Sequence, residues 1–219
     1  MQFLKAILSL LLLCVTFFGY SQSAETYFTQ QPTLGPDADF IIFSYDSDLW
    51  KVPTEGGDAQ RLTAMQGDET NPSISPDGKW VAFSSNQFGN SDVYLMPIKG
   101  GTITQLTFHD SNDKVSSWSW DSSKIYFTSG RYNSFTTYSV NKSGGTPQRL
   151  FNHYFNTIHN VVENPINDEI YFNESWESGR FAHRKRYKGD YNPDIKSFNL
   201  KTKEFKKHTC SIWIFEFIC

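Results

Sequence analysis

An all-β fold of repeated four-stranded units is predicted on three grounds. The first is composition: 19 Phe, 11 Tyr and 6 Trp stand beside only 3 Met, and aromatic side chains favour pleated, half-buried strands. The second is a repeat. Gly56-Gly57 recurs as Gly100-Gly101 and as Gly144-Gly145, a constant step of 44 residues, and a period of that size decides the architecture. The third is hairpin patterning inside each repeat, with apolar and polar residues alternating into a turn and out again.

The elements follow in order. Each unit opens on a shared block: QPTLGPDADFIIFS from Gln31, NPSISPDGKWVAFS from Asn71, VSSWSWDSSKIYFT from Val115, and a weaker NVVENPINDEIYFN from Asn160. The turns Pro36-Asp37, Pro76-Asp77-Gly78 and Trp120-Asp121-Ser122 divide the first three blocks into two strands each. A third strand reads SDLWKVP from Ser47, SDVYLMPI from Ser91 and FTTYSV from Phe135. The glycine pair then turns the chain into an outer strand: Arg61-Leu62-Thr63, Gln105-Leu106-Thr107 and Arg149-Leu150-Phe151. Four short antiparallel strands in such a repeat make one β-propeller blade, which buries its faces only against the next blade. A β-sandwich is the competing fold, and it requires no Gly-Gly and Leu-Thr at constant spacing.

Lys and Arg total 20 against 23 Asp and Glu, a net charge of −3, so no global positive field exists to hold a phosphate backbone, and nucleic acid is not an expected partner. The N-terminus places Lys5 ahead of an apolar run from Ala6 to Phe18, with small residues at Gly19 and Ser21. This reads as a secretory signal over residues 1–21, because the run falls short of the roughly 20 residues that span a bilayer. The expected location is periplasmic or extracellular, with no membrane span after signal removal. Beyond Cys14, the cysteines are Cys210 and Cys219, so the body carries no disulfide framework and relies on its core and its ladders.

The Ser75–Ser85 block SPDGKWVAFSS, with Gly100-Gly101 and Gln105-Leu106-Thr107 behind it, resembles the blade repeat shared by TolB and the tricorn-like serine peptidases over most of residues 27–209. In the fourth unit, 22 residues separate Phe172 from Asp194, against nine from Phe83 to Asp92. The added stretch holds FAHRKRYKGDYNPDI, and a basic-aromatic-Gly segment at this point resembles the N-terminal six-bladed propeller of the tricorn-like peptidases. The resemblance implies an incomplete TolB-like six-bladed propeller, with about four blades present over residues 22–209. It implies a substrate-filtering or scaffold part that works with peptides or with peptidase domains elsewhere. None of that family's catalytic motifs falls on this sequence. A TolB-like periplasmic binding propeller acting through protein–protein contacts is the alternative.

In the fourth unit DIKSFNLKTKEFKKHT from Asp194 aligns on DVYLMPIKGGTITQLT from Asp92 at a constant offset of 102, which puts His208 where the repeat has Leu106 and Thr209 on Thr107. The remaining tail, residues 210–219, has no counterpart in the repeat. A reading-frame switch near His208 or a truncated gene accounts for that, and a genuine closing strand is the alternative. A propeller cut there exposes its last blade and is expected to fold poorly.

Candidate chemistry is sparse. The five histidines, His109, His153, His159, His183 and His208, show no HExxH or short paired spacing, so no zinc site is expected, and His153 and His159 are read as rim or blade-interface residues. Asp110, Asn112 and Asp113 lack the glycine and distal Glu of a calcium loop and read as a solvated turn. No GxSxG raises any Ser to a nucleophile, and no cofactor motif is present. The basic run Arg184, Lys185, Arg186, Tyr187 and Lys188 is the candidate contact for a peptide carboxylate or an acidic neighbouring domain, since guanidinium forks suit carboxylates; a solvated loop is the plainer reading.

Overall fold

The computed structural model describes residues 29–132, 136–151, 157–174 and 194–209. Their regular elements are strands, arranged as four antiparallel sheets of four in chain order. The first blade is β1 (Gln30–Leu34), β2 (Phe40–Tyr45), β3 (Asp48–Pro53) and β4 (Gln60–Arg61). The second is β5 (Glu69–Ile74), β6 (Trp80–Ser85), β7 (Asp92–Pro97) and β8 (Thr104–Gln105). The third is β9 (Asp113–Trp118), β10 (Lys124–Ser129), β11 (Thr136–Asn141) and β12 (Gln148–Arg149). The fourth is β13 (Ile158–Glu163), β14 (Glu169–Glu174), β15 (Asp194–Asn199) and β16 (Phe205–Lys207). The first strand of each blade packs beside the first strand of the next, β1 on β5, β5 on β9 and β9 on β13, which makes these the innermost strands of a propeller. Among the described residues no helix is long and apolar enough to cross a membrane.

Each repeated sequence feature has a local physical cause. In the hairpin turns, Ser75 Oγ donates to the Asp77 carboxylate at 2.5 Å, and that carboxylate accepts the Lys79 N–H at 3.1 Å. Ser119, Asp121 and Ser123 repeat the arrangement at 2.6 and 3.0 Å. Side chains thereby satisfy the backbone of a turn too tight for the ladder to do so. Gly57, Gly101 and Gly145 hold φ of 121°, 130° and 116°, where a side chain is strained, and this is why a glycine pair marks the turn from third to fourth strand in the first three blades. Each innermost strand is bulged in its pairing with the second strand. Gln31, Asn71 and Asn160 sit there at φ of 51° to 53°, a left-handed conformation to which Asn is suited.

The outer strands of the first three blades are shorter than the expected three-residue motif. Only the residues at Arg61, Gln105 and Arg149 and their predecessors lie in the ladder, while the following Leu62, Leu106 and Leu150 bond back to the Leu49, Val93 and Thr137 carbonyls at 2.7, 2.8 and 3.0 Å. The leucine thus closes the blade and leads into the core. That core consists of three apolar clusters, each joining two consecutive blades. Ile42 and Leu49 of the first blade meet Val81, Phe83, Tyr94 and Met96 of the second. Ala82, Val93 and Leu95 meet Ile125, Phe127, Tyr138 and Val140 of the third. A blade face burying several such side chains, at about 25 cal/mol per Å², supplies most of the drive to stack.

The offset of 102 holds in three dimensions. His208 N–H donates to the Ile195 carbonyl at 2.9 Å, as Leu106 does to Val93, and Thr209 Oγ1 accepts the Ile195 N–H at 2.9 Å, as Thr107 does from Val93. Residues 1–21 and 210–219 lie outside the described residues.

Candidate functional site

The blades have two ends. At one, the hairpin turns at Asp77 and Asp121 meet the glycine pairs. At the other lie the turns from second to third strand and the passages from blade to blade. The basic run Arg184–Lys188 connects β14 to β15, whose pairing ends at Glu174 and Asp194, and the run lies outside the described residues, as do His153 and His183.

At the hairpin end, a cleft of about 540 Å³ opens between the third and fourth blades. Glu163 stands in it, accepting the Trp120 N–H at 2.7 Å and a short hydrogen bond from the Tyr126 hydroxyl. Burial, with the Glu163 carboxylate behind it, pushes the Tyr126 phenol well above its usual range. Lys124, Asp121 and Arg149 are among its polar lining, and exposed Trp120 and Ile166 also line it. This arrangement can bind by hydrogen bonding and stacking. Ser119 and Asp121, hydrogen-bonded to each other, are among its lining residues, which include no His or Cys.

A Ser–His contact does occur elsewhere. Ser197 Oγ lies 2.8 Å from His208 Nε2, and the His208 ring lies 5.2 Å from that of Tyr171. Ser197 is 1% exposed, so its hydroxyl has no path to a substrate, and the contact ties the outer strand to its neighbour. His159 is buried on β13 with Nδ1 2.9 Å from the Thr157 carbonyl, and burial lowers its pKa. His109 accepts the Ser111 N–H at 3.0 Å. Among the described residues no three His, Cys, Asp or Glu side chains gather to hold a metal.

The other end holds what the sequence reading missed. Asp48, Thr63, Glu69 and Ser85 recur 44 residues later as Asp92, Thr107, Asp113 and Ser129, and all eight are buried. Thr63 Oγ1 lies 3.2 Å from both Asp48 Oδ1 and Glu69 Oε2, and Ser85 Oγ donates to Glu69 Oε1 at 3.0 Å. Thr107 Oγ1 donates to Asp92 Oδ1 at 3.1 Å, and Arg131 pairs with Asp113 in a short ion pair. These polar knots clamp the third strand of one blade to the first strand of the next. Desolvation raises the carboxyls of Asp92 and Asp113, and it lifts Glu69 to about 7 with help from the neighbouring Asp48 charge. Asp113 is therefore no member of a solvated turn, contrary to the sequence reading: it is fully buried, because β9 begins with it and Arg131 folds over it. Of its neighbours, Asn112 accepts the Ser91 N–H at 2.9 Å.

At the third junction the acids are gone together. Thr136, Phe151 and Ile158 replace the third-strand acid, the threonine and the first-strand acid, and Phe151 packs 4.9 Å from Phe198 and 5.6 Å from Phe172 and Phe205. A half-satisfied polar network is worse than an apolar core, which explains a joint replacement. The signal was present in the sequence: Ser47-Asp48 and Ser91-Asp92, and the acids at 69 and 113, repeat at the same step as the glycines.

Known proteins share this architecture. The solved structure of a protein assigned as a TolB from Agrobacterium tumefaciens superimposes with a TM-score of 0.67 at 21% identity, over 84% of this chain and 62% of that one. TolB from Acinetobacter baumannii gives 0.64 at 20%, over 84% and 44%, and the tricorn protease gives 0.58 at 11%, over 86% and 23%. In sequence, tricorn protease homolog 1 of Streptomyces coelicolor is 34% identical over 71 residues, 32% of this chain and 6% of that protein. The chain thus spans less than two thirds of each of these relatives. The family described as the tricorn protease N-terminal beta propeller domain matches residues 26–211. With four consecutive blades and a match that spans all of them, the chain belongs to the tricorn protease N-terminal β-propeller domain family.

Proposed function

We propose that this chain supplies propeller blades to an exported tricorn-like peptidase, acting on peptides by holding or filtering them rather than by cleaving them. The family match along residues 26–211 carries this reading. Support for export comes from the charged, apolar and small-residue pattern of residues 1–21, with the mature chain beginning at Gln22. Support for a binding role comes from the polar cleft beside Trp120, which offers hydrogen bonds and a stacking surface. The basic run Arg184–Lys188 is the proposed contact for peptide carboxylates or for an acidic neighbouring domain.

The test is a binding and hydrolysis assay on residues 22–219 with fluorescently labelled peptides of acidic and neutral composition. Binding without turnover, weakened for acidic peptides when Arg184, Lys185, Arg186 and Lys188 are changed to Gln, is the expected result. Turnover by this chain would overturn the division of labour. Absence of peptide binding, with recovery of an envelope protein from a pull-down, would instead favour a TolB-like interaction propeller.

A further inference from the structure

At the junction of the first two blades the hydrogens do not match the acceptors. Thr63 Oγ1 accepts the Leu49 N–H at 2.8 Å and lies within 3.2 Å of a carboxylate oxygen on each of Asp48 and Glu69. A hydroxyl carries one hydrogen. It serves one carboxylate and turns a lone pair to the other. Arg61 reaches Asp48, at 2.5 Å, and Ser85 serves the far oxygen of Glu69. Glu69 Oε2 is left facing oxygen atoms inside a junction where Glu69 is 1% exposed and Asp48 6%.

The second junction, built from the same positions, places its cation on the other acid and leaves Asp113 Oδ1 without a hydrogen-bond partner among the described residues. Thr107 accepts the Val93 N–H and donates to Asp92, while Arg131 takes Asp113. The residue 44 positions before Arg131 is Gln87 and the one 44 positions after Arg61 is Gln105, so each junction holds one arginine, on Asp48 in the first and on Asp113 in the second, and Glu69 lacks the cation that Asp113 has.

We propose that Glu69 holds a proton beside the Asp48 carboxylate, and that its loss loosens the joint between the first and second blades, making this joint a pH-responsive latch. Protonated Glu69 donates to the Asp48 carboxylate or to Thr63 and completes the knot. Deprotonated, the two carboxylates face each other in a buried site with Arg61 on one of them only, and like charges at close range repel. Among the described residues no other cation pairs with either carboxylate: Lys51 on β3 lies over the Phe40 ring, and Lys114 on β9 is exposed. β1 carries no ionisable residue, and β2 carries only Tyr45, whose ring packs on Trp50. β4 supplies Arg61, already on Asp48. β6 brings Ser85. β7 brings Asp92 and Tyr94, whose phenol is itself raised by burial and by the Asp92 and Glu69 charges. β9 begins with Asp113, held by Arg131. Asp68, adjacent in sequence, is engaged by Ser47 and Asn86. Burial lifts the Glu69 carboxyl to about 7, which sets the release near neutrality.

Two measurements on the unmodified mature chain test this. The first is the infrared carbonyl band of protonated carboxylic acids, followed from about pH 5 to about pH 9. The second is pH-corrected hydrogen-exchange protection of the Leu49 amide. The acid band is expected to disappear near neutrality, with Leu49 protection falling about tenfold while the Val93 amide, bonded to Thr107, stays unchanged. Glu69→Gln should lose the band and flatten the Leu49 profile, and Gln87→Arg should move the band's midpoint to lower pH by giving Glu69 a cation as Arg131 gives Asp113 one. A wild-type chain with no acid band lost near neutrality, or with Leu49 and Val93 protection changing in parallel, overturns the proposal whether or not the variants fold.

Discussion

The indole N–H of Trp118, in the innermost strand of the third blade, donates to the backbone carbonyl of Ser73 in the innermost strand of the second at 2.9 Å. The bond crosses from blade to blade near the axis, where bulged strands leave carbonyls that the ladder does not reach. Trp118→Phe keeps most of the packing in the cluster around Val115, Ile125 and Phe127 and removes the donor. A loss of about 1–3 kcal/mol is expected from the orphaned carbonyl, read as a lower urea midpoint with an unchanged slope.

Arg131 neutralises Asp113, whose side chain is 0% exposed, and its guanidinium lies 5.0 Å from the centre of the Tyr138 ring. Arg131→Met retains an apolar stem over that ring and leaves a buried charge alone. A destabilisation of about 3–5 kcal/mol is expected. Adding Asp113→Asn to the same chain should recover most of it, since the charge is then gone. Equal denaturation midpoints for the single and double variants would show that the pair's charge contributes nothing.

Two carboxyls give stability opposite dependences on pH. Glu69 is raised from an ordinary 4.5 to about 7, so the folded chain keeps a proton that the unfolded chain has released. Its contribution is present below about pH 4.5 and is lost as pH rises to about 7, amounting to roughly 2–3 kcal/mol. Asp121 is lowered from 3.8 to about 2 by hydrogen bonds from Ser119 and Ser123. Its contribution is present above about pH 3.8 and is lost as pH falls towards 2; solvent exposure limits it to about 1 kcal/mol. Thermal midpoints across this range should decline from mildly acidic to neutral pH, and Glu69→Gln should remove that decline while leaving the acid limb in place.

Gly67 sits at φ of 101° in the passage between the first two blades, and a Cβ there would stand 2.3 Å from Asn86 Oδ1. That oxygen accepts the Asp68 N–H at 2.7 Å. Gly67→Ala therefore combines backbone strain with a broken cap, and about 2–3 kcal/mol of destabilisation is expected. Gly89→Ala, at φ of 110° with open space around it, carries the strain alone. Comparing the two denaturation midpoints isolates the cap.

The sequence by itself determined the unit. Gly57, Gly101 and Gly145 need left-handed backbone, the Asp77 and Asp121 turns need side chains that replace ladder bonds, and these demands act within a few residues. Their spacing therefore reads directly as blade length, and the offset from Val93 and Thr107 to Ile195 and Thr209 survives even where His208 replaces leucine. Only the tertiary structure decided which polar residues meet. Asp48, Thr63, Glu69 and Ser85 come from two blades, and the burial that lifts the Glu69 carboxyl arises only when those blades stack. Asp113 looks like a surface acid among Asp110 and Asn112 until Arg131 and β9 enclose it. Local conformation is written in neighbouring residues; desolvation depends on everything that packs around a group, and no short stretch of sequence contains that.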